Sequence, residues 1–222
     1  MGKNFWIVLT VSVLLLVGVF VIASKQEKAN QSGNTSAFQE FVNEPLVIRE
    51  NDHKKGAEQP KVTLIEFGDF ECSACASFFP LLKQLEQDFP QDLQFIFRHF
   101  PLPGHQNAMS AHRASEAAAK QGKFFEMHDL LYENQQQWAG SNSTQTIFES
   151  FAKQLGLDEE RFKQELSNED AYNFINAQKK GGQKLGVSGT PTFFINGEQI
   201  KNDQIKSYED FKKLIEDKIP KQ

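Results

Sequence analysis

The sequence predicts an α/β fold in two halves, with a block of helices set between them. Two short apolar runs, 62–67 and 93–100, flank a stretch with helical spacing. From about 106 to 185 the patterns are helical. Asn196-Gly197 then separates two β-prone runs, a strong short-range hairpin signal.

Each element has its own reason. Val62-Thr-Leu-Ile-Glu-Phe67 suits a strand buried on both faces, with Glu66 as its one acid. Phe78, Leu82, Leu85 and Phe89 recur at helical spacing, which places Cys72 and Cys75 at a helix start. Pro80 falls inside that helix and is expected to kink it. With the second run as a strand, the order strand–helix–strand makes a parallel βαβ unit. In the helical block, Ala108, Ala111, Ala114 and Ala118 form a small-residue face. Phe124, Met127 and Leu131 form another, and Ile147, Phe151 and Leu155 a third. Gly156 suits a C-cap, and Asp158 an N-cap with Leu157 and Phe162 placed as a hydrophobic staple. After the hairpin, Tyr208, Phe211 and Ile215 mark an amphipathic terminal helix.

The 222 residues suffice for one compact domain with a sizeable core. The net charge is −5 and the basic residues are scattered, which argues against nucleic acid. The 21 phenylalanines exceed ordinary use; many belong in the core, and others could line an apolar groove for extended partners. Phe5–Ile22 is an apolar run of a length at the short end of a membrane span. We therefore expect a signal anchor, a transmembrane segment, over 1–24, with cleavage near Val21-Ile-Ala23 as the alternative. A polar spacer over 25–45 and a catalytic domain over 46–222 follow, the domain lying outside the cytoplasm at the cell membrane.

There are two cysteines, three positions apart, as Cys72-Ser-Ala-Cys75. A stapling disulfide gains from closing a long loop, so one across two residues contributes little that way. Chemistry is the better explanation. A helix N-terminus offers partial positive charge and free N–H donors, which favour Cys72 as a thiolate, the attacking species in disulfide exchange. Cys75, one turn along, is close enough to bond it. Half of a zinc site is the competing reading, with His53, His99, His105, His112 and His128 as possible nitrogen donors. No second close pair of cysteines supports it, so no metal and no bound cofactor are expected beyond the Cys72–Cys75 redox pair, and the histidines receive no role.

Four segments in this order resemble the thioredoxin superfamily, in its DsbA-like branch. They are Glu66-Phe-Gly-Asp-Phe-Glu-Cys72-Ser-Ala-Cys75, Phe100-Pro-Leu-Pro-Gly-His105, Gly122-Lys-Phe-Phe-Glu-Met-His128 and Gly186-Val-Ser-Gly-Thr-Pro191-Thr-Phe-Phe-Ile-Asn-Gly197. The start of the chain resembles membrane-tethered bacterial disulfide oxidases. The resemblance spans about 46–217 and implies a thioredoxin-like fold with a helical domain inserted at about 106–185. It also implies a buried acid at Glu66 that exchanges a proton with Cys75, against the alternative of an edge residue facing solvent. Thr190 and Pro191 resemble the cis-proline loop facing the cysteines, where Thr190 would offer its backbone to a substrate peptide and help tune the sulfurs. The strongest oxidants of this branch carry Pro-His between the cysteines; Ser73-Ala74 here leave out the imidazole, which bears on oxidising strength.

The functional expectation is an extracytoplasmic thiol–disulfide oxidoreductase that forms disulfides in exported proteins as a monomer. Its partners would be cysteine-bearing exported substrates and a membrane quinone-linked reoxidase of the DsbB or VKOR type. A reductase or isomerase would use the same sulfurs in the opposite direction. A membrane-tethered holdase using the Phe-rich surface is the alternative from another class, though it would not need Cys72 at a helix start.

Overall fold

A computed structural model describes residues 38–220. The compact unit Phe41–Gln222 holds five strands. They are β1 (His53–Gly56), β2 (Val62–Gly68), β3 (Leu93–His99), β4 (Thr192–Ile195) and β5 (Glu198–Ile200). The helices described are α1 (Ser73–Asp88), α2 (Ala108–Ala119), α3 (Phe124–Glu133), α4 (Gln135–Trp138), α5 (Thr144–Gln154), α6 (Glu159–Leu166), α7 (Glu169–Lys184) and α8 (Tyr208–Glu216). This is the α/β thioredoxin-like architecture with an inserted helical subdomain, α2 to α7, that the sequence led us to expect.

The sheet runs β1-β3-β2-β4-β5. β2 and β3 pair in parallel around α1, with Val62 opposite Leu93 and Gly68 opposite His99. The hairpin β4–β5 adds antiparallel to the other side of β2, with Glu66 opposite Phe193. Its turn needs two residues at positive φ, supplied by Asn196 at 49° and Gly197 at 85°. The edge strand β1 gave no pattern to read: His53-Lys-Lys-Gly56 is polar, and only its pairing with β3 makes it a strand.

Side chains alternate across β2, so Val62, Leu64 and Glu66 share one face and Ile65 and Phe67 the other. The first face joins the larger core, which contains α1, the small-residue face of α2 and both cysteines. Ile65 and Phe67 pack with Ile96, Phe100, Val187 and Phe194. α7 also lies on this side, and its Gly182 shows how closely: an added Cβ would stand 2.9 Å from the Phe67 ring and 3.0 Å from Phe100. α1 continues through Pro80. The expected cap at Asp158 forms, its carboxylate accepting from Arg161 N.

One expectation is corrected. Among the described residues no helix is long and apolar enough to cross a membrane, so the transmembrane signal anchor is not borne out by them. The apolar run 5–22 that prompted it lies outside the described residues. Hydropathy of a stretch measures its preference for an apolar environment, and that alone did not establish a span.

Candidate active site

Both cysteines are reduced thiols at the start of α1, immediately after the central strand β2. Cys72 is the N-cap residue, in extended conformation at φ −73° and ψ 120°, which places its sulfur at the helix N-terminus without a side-chain cap hydrogen bond. Its acidity is raised strongly, with the pKa lowered to about 5. The largest cause is the hydrogen bond from the Cys75 thiol; burial opposes it, and Thr190 with the backbone N–H groups of Cys75 and Ala74 adds to it. The Cys72 thiol itself donates to Thr190 O at 3.3 Å. The Thr190 hydroxyl is buried without a partner, so it is free to donate to the sulfur once the proton has left.

Cys75 is the opposite case. It is 1% exposed, and burial first, then Cys72 and Glu66, push its pKa well above that of an ordinary thiol. Glu66 is fully buried on the same face of β2, so the solvent-facing alternative does not hold. Burial raises its pKa to about 8, helped by the charge of Cys72. No group meets hydrogen-bonding geometry at either carboxylate oxygen, although the Cys75 thiol is near enough to favour the charged form. At neutral pH this carboxyl therefore holds a proton beside a buried thiol. The Thr190–Pro191 bond is cis. Ser73 and Ala74 are both exposed on the first turn. Ala74 acts on Cys72 through its backbone N–H, while the Ser73 carbonyl accepts from Ser77 Oγ at 3.0 Å.

Several supporting residues received no role from the sequence. Gln135 Nε2 donates to Phe70 O at 2.7 Å and to Cys72 O at 3.0 Å, tying the active-site loop to α4. The Asp69 carboxylate accepts from Glu71 N and Leu102 N, each at 2.8 Å, and bonds His105 Nδ1 at 2.7 Å. Glu71 Oε2 accepts from Asn107 N at 2.6 Å. The loop is thus held by the helical block on the other side of the second motif. Tyr132 brings a buried, unpartnered hydroxyl near the site; burial first, then the charges of Cys75 and Glu66, raise its pKa well above the usual value. A second buried cluster joins β1, β3 and α2. Glu116 accepts from His53 Nε2 and, at 2.8 Å, from His99 Nε2. Burial would raise the Glu116 pKa, but the two imidazoles outweigh it and hold the carboxylate well below its usual range.

One sulfur is held ready as a thiolate and its neighbour is kept protonated and covered, one helical turn away. The chemistry open to such a pair is exchange with a disulfide, and the domain is a thiol–disulfide oxidoreductase of DsbA-like fold. The comparisons with known proteins agree with that class. The chain belongs to the thioredoxin family: residues 49–217 match the family model described as Thioredoxin. Among solved structures it is similar to oxidised BdbD from Bacillus subtilis, 26% identical with a TM-score of 0.67, over 76% of this chain and 92% of that one. It is also similar to alpha-DsbA1 from Wolbachia pipientis, 25% identical with a TM-score of 0.65, over 79% of this chain and 94% of that one. A curated relative, the Na(+)/H(+) antiporter NhaA 1 of Salinispora arenicola, is 38% identical over 149 residues. That match takes in 67% of this chain but 22% of the relative, so the chain spans about a fifth of the length of that protein.

Proposed function

We propose that this protein is a net oxidant that forms disulfides in exported proteins on the outer side of the cytoplasmic membrane. The observation that carries the reading is the acidity of Cys72, lowered to about 5 by Cys75, Thr190 and the helix N–H groups without any imidazole between the cysteines. Stabilising the thiolate stabilises the reduced pair, and a stable reduced form makes the oxidised form a strong acceptor of electrons.

In the oxidised protein, a substrate thiolate attacks Cys72 Sγ. The Cys72–Cys75 bond breaks, a substrate–Cys72 disulfide forms, and Cys75 leaves as a thiolate. The Glu66 carboxyl, protonated at neutral pH, passes its proton to that buried sulfur. A second substrate thiolate then attacks the substrate sulfur of the mixed disulfide and expels Cys72 as the stabilised thiolate. The substrate is oxidised by two electrons and the pair is reduced. A quinone-linked reoxidase of the DsbB or VKOR type takes up those electrons. The Thr190 backbone, whose carbonyl already meets Cys72 Sγ, lies where an extended substrate would pair with the loop. The protein acts as a monomer, with cysteine-bearing exported chains as its substrates.

The test is the reduction potential of the pair in glutathione buffers. A value between about −120 and −180 mV supports net disulfide donation. A value near about −270 mV makes the domain a reductase instead.

A further inference from the structure

The cluster at the β1 edge has the donors, spacing and access of a metal site. Among the described residues, the ligand atoms of His53, His99 and Glu116 all lie within 4.8 Å of one another. The three residues come from β1, β3 and α2, so the fold, not a local motif, assembles them. His99 and Glu116 are buried, with side chains 0% and 8% exposed, while the His53 side chain is 14% exposed. His53 lines an open cleft of about 360 Å³ together with Asn51, Phe124 and Glu126, which gives an ion and its water a path in. Two imidazole nitrogens and one carboxylate oxygen, with a fourth position open to water, make a donor set suited to zinc.

A second observation comes from the hydrogen bonds behind the cluster. Without an ion, both imidazoles donate their Nε2–H to the one oxygen Glu116 Oε1. His99 Nδ1 must then accept, and its partner at 2.6 Å is His112 Nδ1, which therefore carries the proton. That leaves His112 Nε2 as a bare, buried lone pair without a partner, 3.9 Å from Asp69 Oδ1. An ion on His99 Nε2 reverses the order. His99 keeps one proton, now on Nδ1, and donates it to His112 Nδ1. His112 then carries its proton on Nε2, directed at Asp69; the His99 Nε2 proton is released as His112 Nε2 gains one, so each ring still holds one proton. The orphaned atom becomes a donor facing a carboxylate.

We propose that His53, His99 and Glu116 form a zinc-class divalent-cation site, with His112 as the outer partner that links it to Asp69. Zinc–ligand distances of about 2.0–2.2 Å place neighbouring ligands about 3.3 Å apart, so the His99–Glu116 pair opens by on the order of half an ångström on binding. Because Asp69 holds the loop before Cys72, an ion here braces the active-site loop from behind.

The test is titration of zinc into the untagged full chain with the Cys72–Cys75 disulfide closed, so that the thiols cannot bind it. One zinc per chain is expected, and His53→Gln, at the edge of the sheet, should weaken binding by at least about 100-fold, above the loss of an outer partner. Cobalt(II) in place of zinc should give the visible absorption of a tetrahedral nitrogen and oxygen site, with no sulfur-to-metal band. Nitrogen NMR of the imidazoles should show the His112 proton moving from Nδ1 to Nε2. No binding by the oxidised chain, unchanged affinity in His53→Gln, or a sulfur-to-cobalt band would each overturn the assignment.

Discussion

The acidity of Cys72 depends most on one hydrogen bond, and Cys75→Ala removes it. The Cys75 thiol is the largest cause holding Cys72 at about 5, against an ordinary value of 9.0. A hydrogen bond to a charged group contributes about 1.5–3 kcal/mol, which at about 1.4 kcal/mol per pKa unit is roughly one to two units. The backbone N–H groups and Thr190 remain, so Cys72 in this variant should titrate near about 6–7. Cys75→Ser keeps a donor and should stay close to the parent. The assay is the pH dependence of alkylation at Cys72, checked by the ultraviolet absorbance of the thiolate. At pH 6 the thiolate population should fall from about 90% in the parent to between about 50% and 10% in Cys75→Ala. The reasoning fails if Cys75→Ala keeps a midpoint near that of the parent, because the helix N-terminus alone would then hold the thiolate. The same shift bears on the redox equilibrium. The depressed pKa favours the reduced folded state in full above the ordinary thiol value and loses that contribution as pH falls from about 9 through about 5. At pH 7 the unscreened effect is about 3 kcal/mol; screening by water at the mouth of the site leaves about 2 kcal/mol, or about 40 mV toward oxidising potential.

Glu66 titrates with the opposite sign. Its folded pKa of about 8 lies above the ordinary 4.5, so its stabilising effect is complete below that ordinary value and is lost as pH rises through about 8. Glu66→Gln should remove this loss, on the order of 5 kcal/mol at most, and urea midpoints measured across pH should diverge from the parent on the alkaline side. Parallel curves would refute a buried, neutral Glu66. The variant should also slow reformation of the disulfide, a step read by stopped-flow mixing with a small disulfide. Arg98 is 1% exposed, pairs with Asp52 at 2.8 Å and donates to Val47 O at 2.8 Å. Arg98→Ala leaves Asp52 buried and unpaired, so denaturant unfolding should show a loss of about 3–5 kcal/mol; a loss below about 1 kcal/mol would mean water enters to solvate it.

Much of the fold was legible because its signals are local. Helical spacing after the first apolar run located α1, Asn196-Gly197 between two β-prone runs located the hairpin, and Asp158 capped α6 as expected. The cysteine spacing at a predicted helix start, with no second close pair of cysteines to complete a metal site, was likewise sufficient to indicate redox chemistry. β1 was missed because its residues have no apolar face of their own and become a strand only through β3.

What the sequence determined by itself was the kind of chemistry and the order of the elements, because both follow from neighbours a few positions apart. Tertiary packing decided the rest. It buried Glu66 on the central strand, where periodicity alone allowed a solvent-facing edge residue. It carried Thr190 across 118 positions to the sulfur of Cys72, and Gln135 across 63 to its carbonyl. It also gathered His53, His99 and Glu116, three residues that composition distributes without a motif. Burial and charge contact set acidity, and both belong to the packed molecule; no window along the chain contains them.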